Sequence, residues 1–335
     1  MANLIYTTAF GKPYYISLAV ELYRSVRKHG YTGDFIVLTD DIELPEVEGL
    51  RFFRTQTKYL WKTAILDIGI NLEKYDKILF LDSDIVCIAP IDELFALEGI
   101  HIAMEDWDLS SNAMNSQFLS LAEKQRAKAG KLLSVNAGTF VFPGVLAKKF
   151  LGMWREVFAQ CSKKELPDLW NGAHADKDGD KVLEWWDQGA LQALCMRDLP
   201  WKPLPKAIVN MPAMEWKSRK LTEKTALIHF NGLLQTEYNK KKVLEWMRQI
   251  NGDSESVAAI CEEACFVTEA AIEARAKAQM AADRTVMTML EGFESAIKKV
   301  LENQAKLDRR IKRLESLGMP EGVELMDQLN GHSAI

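Results

Sequence analysis

The strongest strand signal in this sequence is the stretch Tyr75-Asp-Lys-Ile-Leu-Phe-Leu-Asp-Ser-Asp-Ile-Val-Cys87. Its residues 78–81 form an uninterrupted apolar run, which is typical of a strand buried on both faces in a parallel sheet. Two carboxylates, Asp82 and Asp84, follow directly, at the end of the strand where open parallel sheets bind their ligands. The stretch therefore predicts a central strand that ends in a polar site.

Strands and helices alternate on both sides of this stretch. Apolar runs predict further strands at Leu4–Tyr6, Phe35–Leu38, Leu50–Phe53, Ile100–Met104, Gly138–Phe142 and Ala226–Phe230. Amphipathic spacing predicts helices from Pro13 to about Gly30 and over Trp61–Ile70, Leu146–Phe158 and Trp185–Cys195. This alternation indicates an α/β domain with a mostly parallel sheet covered on both faces.

Length and composition are those of an ordinary globular protein. The chain has 335 residues, 48% hydrophobic and 27% charged, which suits one large domain with an appendage. Its 42 basic and 47 acidic residues give a net charge of -5, which argues against nucleic acid as the main partner.

The sequence also predicts a cytoplasmic protein. Its five cysteines form no Cys-x-x-Cys pair, and we expect them to be reduced thiols. The first residues lack the basic region and the apolar stretch of a signal peptide, and no run of 18 apolar residues occurs.

A helical extension is predicted over residues 253–317. No proline occurs there, and only Gly292 interrupts a helix-forming composition. Alternating steps of three and four residues connect Leu290, Phe293, Ile297, Val300, Gln304, Leu307, Ile311 and Leu314. This heptad seam predicts a coiled coil at about 286–317 that joins copies of the chain into a homo-oligomer. We expect residues 318–335 to form a flexible tail.

The face opposite the seam is basic, with Lys306, Arg309, Arg310, Lys312 and Arg313 close together. A basic amphipathic helix can also lie on an anionic membrane, which would make the protein peripheral to the inner face of that membrane. The regular three-four spacing favours the coiled coil over this alternative.

The two carboxylates after the central strand predict a metal site. At spacing i and i+2, Asp82 and Asp84 can converge on one hard divalent cation such as Mn²⁺ or Mg²⁺, which prefers oxygen ligands. An ordinary turn after a strand is the alternative interpretation of the same residues.

Five short motifs in this order along the chain resemble those of the family-8 glycosyltransferases. These are retaining nucleotide-sugar transferases that include glycogenin and bacterial lipopolysaccharide galactosyltransferases. The motifs are Trp61-Lys62-Thr63, the stretch 75–95 around Asp-Ser-Asp, Asn136–Phe142, Asp187-Gln188-Gly189 and Ile228–Gly232. The resemblance implies a GT-A nucleotide-sugar domain over residues 1–250.

The resemblance also implies roles for site residues. Asp82, Asp84 and His229 would be the ligands of Mn²⁺ or Mg²⁺. Asp187 and Gln188 would be catalytic, Asp187 binding the donor sugar and Gln188 stabilising its positive charge. The donor nucleotide would be bound by Thr7, Thr8, Lys62, Asp82, Ser83, Asp84, Asn136, Gly232 and Lys240.

The chain departs from the family pattern in two places. The lysine motif has the order Trp61-Lys62-Thr63 where the family has Thr-Lys-Leu. The family's Lys-Pro-Trp after the last motif is replaced by Leu233-Leu-Gln-Thr-Glu-Tyr-Asn239, so Lys240 stands in for its diphosphate-binding lysine.

The function implied by the resemblance is a metal-dependent retaining transfer of a hexose, glucose or galactose, from a UDP-sugar. The acceptor would be a glycan, a lipid-linked glycan or a protein. A sugar-nucleotide pyrophosphorylase would need a glycine-rich loop after the first strand, and Ala9-Phe-Gly-Lys-Pro13 supplies none. The alternative outside enzymology is a non-catalytic glycosyltransferase-like scaffold whose coiled coil is the functional part.

Overall fold

The computed structural model of the protein describes residues 2–40, 43–55, 60–108, 133–162, 174–175, 181–182, 186–197, 199–205, 207–210, 221–230, 237–264 and 296–313. The chain divides into two compact units, Met1–Glu269 and Ala270–Ile335. Among the described residues, no helix combines the length and the apolar character that a membrane crossing requires.

The first unit alternates strands and helices. In chain order the strands are β1 (Ala2–Ala9), β2 (Asp34–Thr39), β3 (Arg51–Arg54), β4 (Tyr75–Leu81), β5 (Ile85–Cys87), β6 (Ile100–Asp108), β7 (Leu133–Pro143), β8 (His174–Ala175), β9 (Lys181–Val182), β10 (Trp201–Pro203), β11 (Val209–Asn210) and β12 (Leu227–His229). The α-helices are α1 (Pro13–Lys28), α2 (Asp92–Phe95), α3 (Ala147–Ser162), α4 (Trp186–Met196) and α5 (Glu237–Gly252), and residues 257–264 are also helical.

The central sheet confirms the predicted α/β class. As the described residues define it, this sheet has seven strands in the order β10-β6-β7-β4-β1-β2-β3. All neighbouring pairs are parallel except the two that β7 makes with β4 and β6. The sheet is therefore mostly parallel, with β4 near its centre.

Helices cover both faces of this sheet, which explains the continuous apolar runs of its strands. On β4, Leu79 and Leu81 pack into a core that includes side chains of α1 and α5. Their neighbours Ile78 and Phe80 pack into a second core that includes side chains of α3 and α4. Residues 78–81 of the strand are thus each buried on one face of the sheet or the other.

A second, smaller sheet places the end of β12 beside the end of β4. Its order is β11-β12-β5, and β12 runs antiparallel to β5 with His229 opposite Ile85. Because β5 begins directly after Asp82-Ser83-Asp84, this pairing brings a residue from late in the chain to the predicted polar site.

The helix predicted over Trp61–Ile70 has a different form. The structure has a 3-10 helix at Trp61–Asp67, and Gly69 follows it in the left-handed region with φ +72°. The Arg155 guanidinium donates to the backbone carbonyl of Thr63, which is the acceptor an α-helix would use for the amide of Asp67. Tertiary contacts therefore favour the tighter helix here.

The first residues of the predicted helical extension belong to the unit Met1–Glu269. Asp253 is the N-cap of the 3-10 turn Ser254–Ser256, because its carboxylate accepts from the Glu255 amide. In residues 257–264, Val257 and Ile260 are buried in the same core as α1 and α5. The sheet unit therefore extends past residue 250, the predicted end of its domain.

The second unit contains the described helix 296–313. All its residues are exposed, and its large apolar side chains are Ile297, Val300, Leu301, Leu307 and Ile311. Of the predicted seam, Leu290, Phe293 and Leu314 lie outside the described residues, as does the predicted tail 318–335.

A candidate metal centre at the end of the central strand

The turn after β4 fixes two carboxylates beside the sheet. The Asp82 amide donates to the carbonyl of Gly138 on β7 at 2.8 Å, and the Asp82 carbonyl accepts from the Ile85 amide at 3.2 Å. This tight turn connects β4 to β5 and presents Asp82, which is half-buried, together with the buried Asp84.

His229 completes a cluster of three potential metal ligands. The amide of the next residue, Phe230, donates to the Asp84 carbonyl at 3.1 Å, which fixes the end of β12 against the turn. His229 Nε2 lies 3.3 Å from Asp84 Oδ1 and 3.8 Å from Asp82 Oδ2. Ligand atoms of the three residues all lie within 4.8 Å of one another.

The imidazole of His229 is buried, and its nitrogens lack hydrogen bonds to the described residues. Its side chain is 1% exposed, and neither ring nitrogen has a hydrogen-bond partner among the described residues. Nε2 approaches the Asp84 carboxylate, with 3.3 Å between Nε2 and Oδ1. A buried polar atom without a hydrogen bond lowers the stability of the fold by about 1–3 kcal/mol. Coordination of a bound cation by an imidazole nitrogen would offset this cost.

The charges around His229 are those of a cation site. Burial alone would lower the pKa of His229, but the negative charges of Asp84 and Asp82 outweigh burial and raise that pKa above its ordinary value. Burial raises the pKa of Asp82, partly opposed by the positive charge of Lys62. The pocket thus favours added positive charge, and its two carboxylates suit Mn²⁺ or Mg²⁺, which prefer oxygen ligands.

Gly138 leaves the space in which the three ligands meet. A Cβ at this position would lie 2.3 Å from His229 Cε1 and 2.7 Å from Asp82 Oδ2. Both distances are shorter than any ordinary contact, so a side chain at residue 138 would move His229 and Asp82 from these positions. Gly138 lies within the motif Asn136–Phe142, but the sequence alone predicts no role for it.

Lys62 lies beside the cluster as a buried cation between two carboxylates. Its Nζ lies 3.1 Å from Asp82 Oδ2 and 2.8 Å from Asp187 Oδ2, and it donates to the Ala137 carbonyl at 3.0 Å. Burial lowers the pKa of Lys62, but Asp187 and Asp82 outweigh it and raise that pKa above its ordinary value. Lys62 is therefore held as a charged group.

Two residues that the sequence analysis did not single out hold the 3-10 helix of Lys62. Tyr6 on β1 donates its hydroxyl to the Lys62 carbonyl at 2.8 Å. Arg155 on α3 donates to the hydroxyl and carbonyl of Thr63 at 2.7 and 2.8 Å and to both carboxylate oxygens of Asp67. Only contacts across the fold give these residues their role, so no local pattern could have found them.

Asp187 and Gln188 lie in the first turn of α4. Asp187 accepts the Gln188 amide on its side chain at 2.8 Å, and its carbonyl accepts the indole N–H of Trp154 at 3.0 Å. The structure thus brings Asp187 to Lys62 and places the half-buried Gln188 directly after it.

Other predicted donor-binding residues surround the same strand ends. Thr7 is buried near the end of β1, and Ser83 is buried in the turn. Asn136 is buried on β7, where its side-chain oxygen accepts the Gly138 amide at 2.8 Å. The hydroxyl oxygens of Thr7 and of Thr139 on β7 are buried without a hydrogen-bond partner among the described residues.

Three further residues are predicted to bind the donor nucleotide: Thr8, Gly232 and Lys240. Thr8 is half-buried near the end of β1, and Gly232 lies outside the described residues. Lys240 is buried in α5, where its backbone carbonyl accepts from the Tyr14 hydroxyl.

Comparison with protein-family models and with curated proteins found no match for this chain.

Proposed function

We propose that the protein is a metal-dependent retaining glycosyltransferase with a GT-A fold that uses a UDP-sugar. The observation that carries this proposal is the meeting of Asp82, Asp84 and His229, residues from two separate strand ends, around buried imidazole nitrogens that have no described hydrogen-bond partner. The order and spacing of these residues resemble those of the metal ligands in the family-8 enzymes. The mostly parallel sheet, with the site at its carboxyl edge, also suits such an enzyme.

Breaking the bond between sugar and diphosphate leaves positive charge on the sugar and negative charge on the departing UDP. A divalent ion held by Asp82, Asp84 and His229 would supply Lewis-acid stabilisation to that leaving group. Lys62 adds a fixed positive charge beside Asp82. Loss of one preorganised contact of this kind typically raises a barrier by about 3 kcal/mol.

The donor sugar would lie beside the start of α4. Asp187 would bind its hydroxyls, and Gln188 would stabilise the positive face of the sugar during transfer. Thr7, Thr8, Ser83 and Asn136 would contact the nucleotide and the sugar. Gly232 would meet the diphosphate, by resemblance to the family's last motif, and Lys240 would take the place of the family's diphosphate-binding lysine. Glucose and galactose are the proposed donors, and the acceptor is a glycan, a lipid-linked glycan or a protein.

We further propose that the helix 296–313 forms a coiled coil with the same helix of a second copy, in the cytoplasm. The seam residues Ile297, Val300, Leu307 and Ile311 are 46% to 63% exposed, which is unusual for large apolar side chains on one helix face. Gln304 interrupts the seam, as polar residues do when they set register. Peripheral contact of its basic face with an anionic membrane is the alternative.

The test of the enzymatic proposal is UDP release from a panel of UDP-sugars with Mn²⁺, with and without EDTA, because slow donor hydrolysis needs no acceptor. We expect release from one sugar, abolished by EDTA and reduced about 100-fold or more in Asp84→Ala. Asp76→Ala, which removes an exposed carboxylate at the start of β4, should leave release unchanged.

Failure of all sugars to release UDP, together with no UDP binding in calorimetry, would reject the enzymatic proposal. The non-catalytic scaffold with its coiled coil would then be the better account of the chain.

A further inference from the structure

Lys62 is a single ammonium group shared by two carboxylates. It lies 3.1 Å from each oxygen of Asp82 and 2.8 Å from Asp187 Oδ2. The three side chains are 14%, 25% and 28% exposed, so water screens their charges only in part. Asp82 and Asp187 therefore compete for the same cation.

Asp82 is also one of the potential metal ligands. The same Oδ2 that contacts Lys62 lies 3.8 Å from His229 Nε2, inside the cluster of potential metal ligands. A divalent ion bound there would have to share Asp82 with the ammonium group, and the two cations would repel each other. The affinity for the metal therefore depends on how strongly Lys62 is drawn to its other partner.

We propose that Asp187 is a positioning residue for the metal, because it holds the Lys62 ammonium and thereby leaves Asp82 available as a ligand. Without Asp187, Lys62 pairs with Asp82 alone, and metal binding has to displace it. This inference rests on the proposed metal site. It assigns Asp187 an effect on metal affinity that acts through Lys62 and needs no sugar nucleotide.

The contacts of Asp187 support this direction. Its distance to Lys62 is the shortest of the ammonium group's described contacts, and its backbone is fixed by the hydrogen bond from Trp154. The Ala137 carbonyl, at 3.0 Å, orients the ammonium group but brings no charge to compete with Asp82. Asp187 is thus the group that balances Asp82 in the described surroundings of Lys62.

The test is a titration of the full chain with Mn²⁺ alone, following free Mn²⁺ by electron paramagnetic resonance. It compares wild type, Asp187→Asn, Lys62→Met and the double variant. Asp187→Asn should weaken Mn²⁺ binding about fivefold or more, a usual size for coupling between sites. Lys62→Met should bind Mn²⁺ at least as tightly as wild type, and in its background Asp187→Asn should change the affinity less than about twofold.

Two controls make the readout specific. Glu156→Gln removes one negative charge from an exposed position of α3 and should leave the Mn²⁺ affinity unchanged. Asp187→Glu keeps a carboxylate and should retain most of the affinity. Thermal unfolding checks every variant, and Lys62→Gln replaces Lys62→Met if the latter does not fold.

The possible outcomes distinguish a failure of this inference from a failure of the proposed metal site. Equal weakening by Asp187→Asn with and without Lys62 means a direct charge effect and overturns the inference, as does an unchanged affinity in Asp187→Asn. If wild type binds no Mn²⁺, the metal site itself fails and takes the inference with it.

Discussion

Gly138 has the most restricted position around the ligand cluster. A methyl group in Gly138→Ala would displace His229 and Asp82, because its contacts of 2.3 and 2.7 Å cannot be accommodated without movement. We expect Mn²⁺ binding to fall about tenfold or more, as when the orientation of metal ligands is disturbed. A Mn²⁺ titration of Gly138→Ala, checked for folding by circular dichroism, measures this.

Gly152 on α3 provides the matched control. A Cβ there meets nothing within 4 Å, so Gly152→Ala should keep wild-type Mn²⁺ affinity and raise the free energy of unfolding by about 0.5–1 kcal/mol. Wild-type Mn²⁺ affinity in folded Gly138→Ala would show that the ligands do not meet where the structure places them.

At this scale, the site could be predicted only in part. Asp82 and Asp84 follow a strand that is apparent in the local pattern, and the turn holds both carboxylates at the end of that strand. His229 could be joined to them only by resemblance to a family, because 145 residues separate it from Asp84 and only the pairing of β12 with β5 brings it there. The contacts of Gly138 and Arg155 leave no local trace in the sequence.

Among the elements, the 3-10 helix Trp61–Asp67 depends on Arg155. In Arg155→Met, Thr63 and Asp67 lose their donors, and we expect the free energy of unfolding to fall by about 1–2 kcal/mol, since Asp67 is partly exposed. The looser helix should also misplace Lys62 and lower the rate of UDP release. Urea denaturation and the UDP-release assay measure the two effects.

Lys149→Met on the same helix is the control for Arg155→Met. Lys149 is exposed, so its loss should change neither stability nor UDP release. Equal stability of Arg155→Met and Lys149→Met would mean that Arg155 does not hold the 3-10 helix.

The elements themselves were more predictable than their ends. Apolar runs identified β1, β2 and β4, since strands buried on both faces have few polar residues. β6 runs on to Asp108 and β7 begins at Leu133, beyond their apolar cores, because the two strands pair with each other there. Pairing between distant strands is not visible in either segment alone.

At the scale of the whole molecule, the exposed seam of helix 296–313 predicts self-association. Leu307→Glu places a charge in the seam and should shift the protein from oligomer to monomer, because a buried unpaired charge opposes assembly. Ala305→Glu adds the same charge to an exposed position off the seam and should not. Light scattering during size-exclusion chromatography gives the mass of each. A monomeric wild type would contradict the coiled coil.

The flanking charges predict that the helices run parallel. By the heptad spacing of the sequence, Arg310 at a g position of a parallel pair would face Glu315 of the second copy, at the following e position. Arg310→Glu and Glu315→Arg should each weaken the oligomer, and the double variant should restore it. An antiparallel pair brings g to g and e to e, so failure of the double variant to recover in sedimentation equilibrium would favour that arrangement.

Calorimetric titration of UDP into the full chain, with and without Mn²⁺, tests the central claim most directly. If the diphosphate completes the coordination of the metal ion, the binding of UDP and the binding of Mn²⁺ should be coupled. We therefore expect UDP to bind about tenfold or more tightly with Mn²⁺. His229→Ala should abolish this enhancement. UDP affinity that is the same with and without Mn²⁺, or no UDP binding at all, would contradict the account.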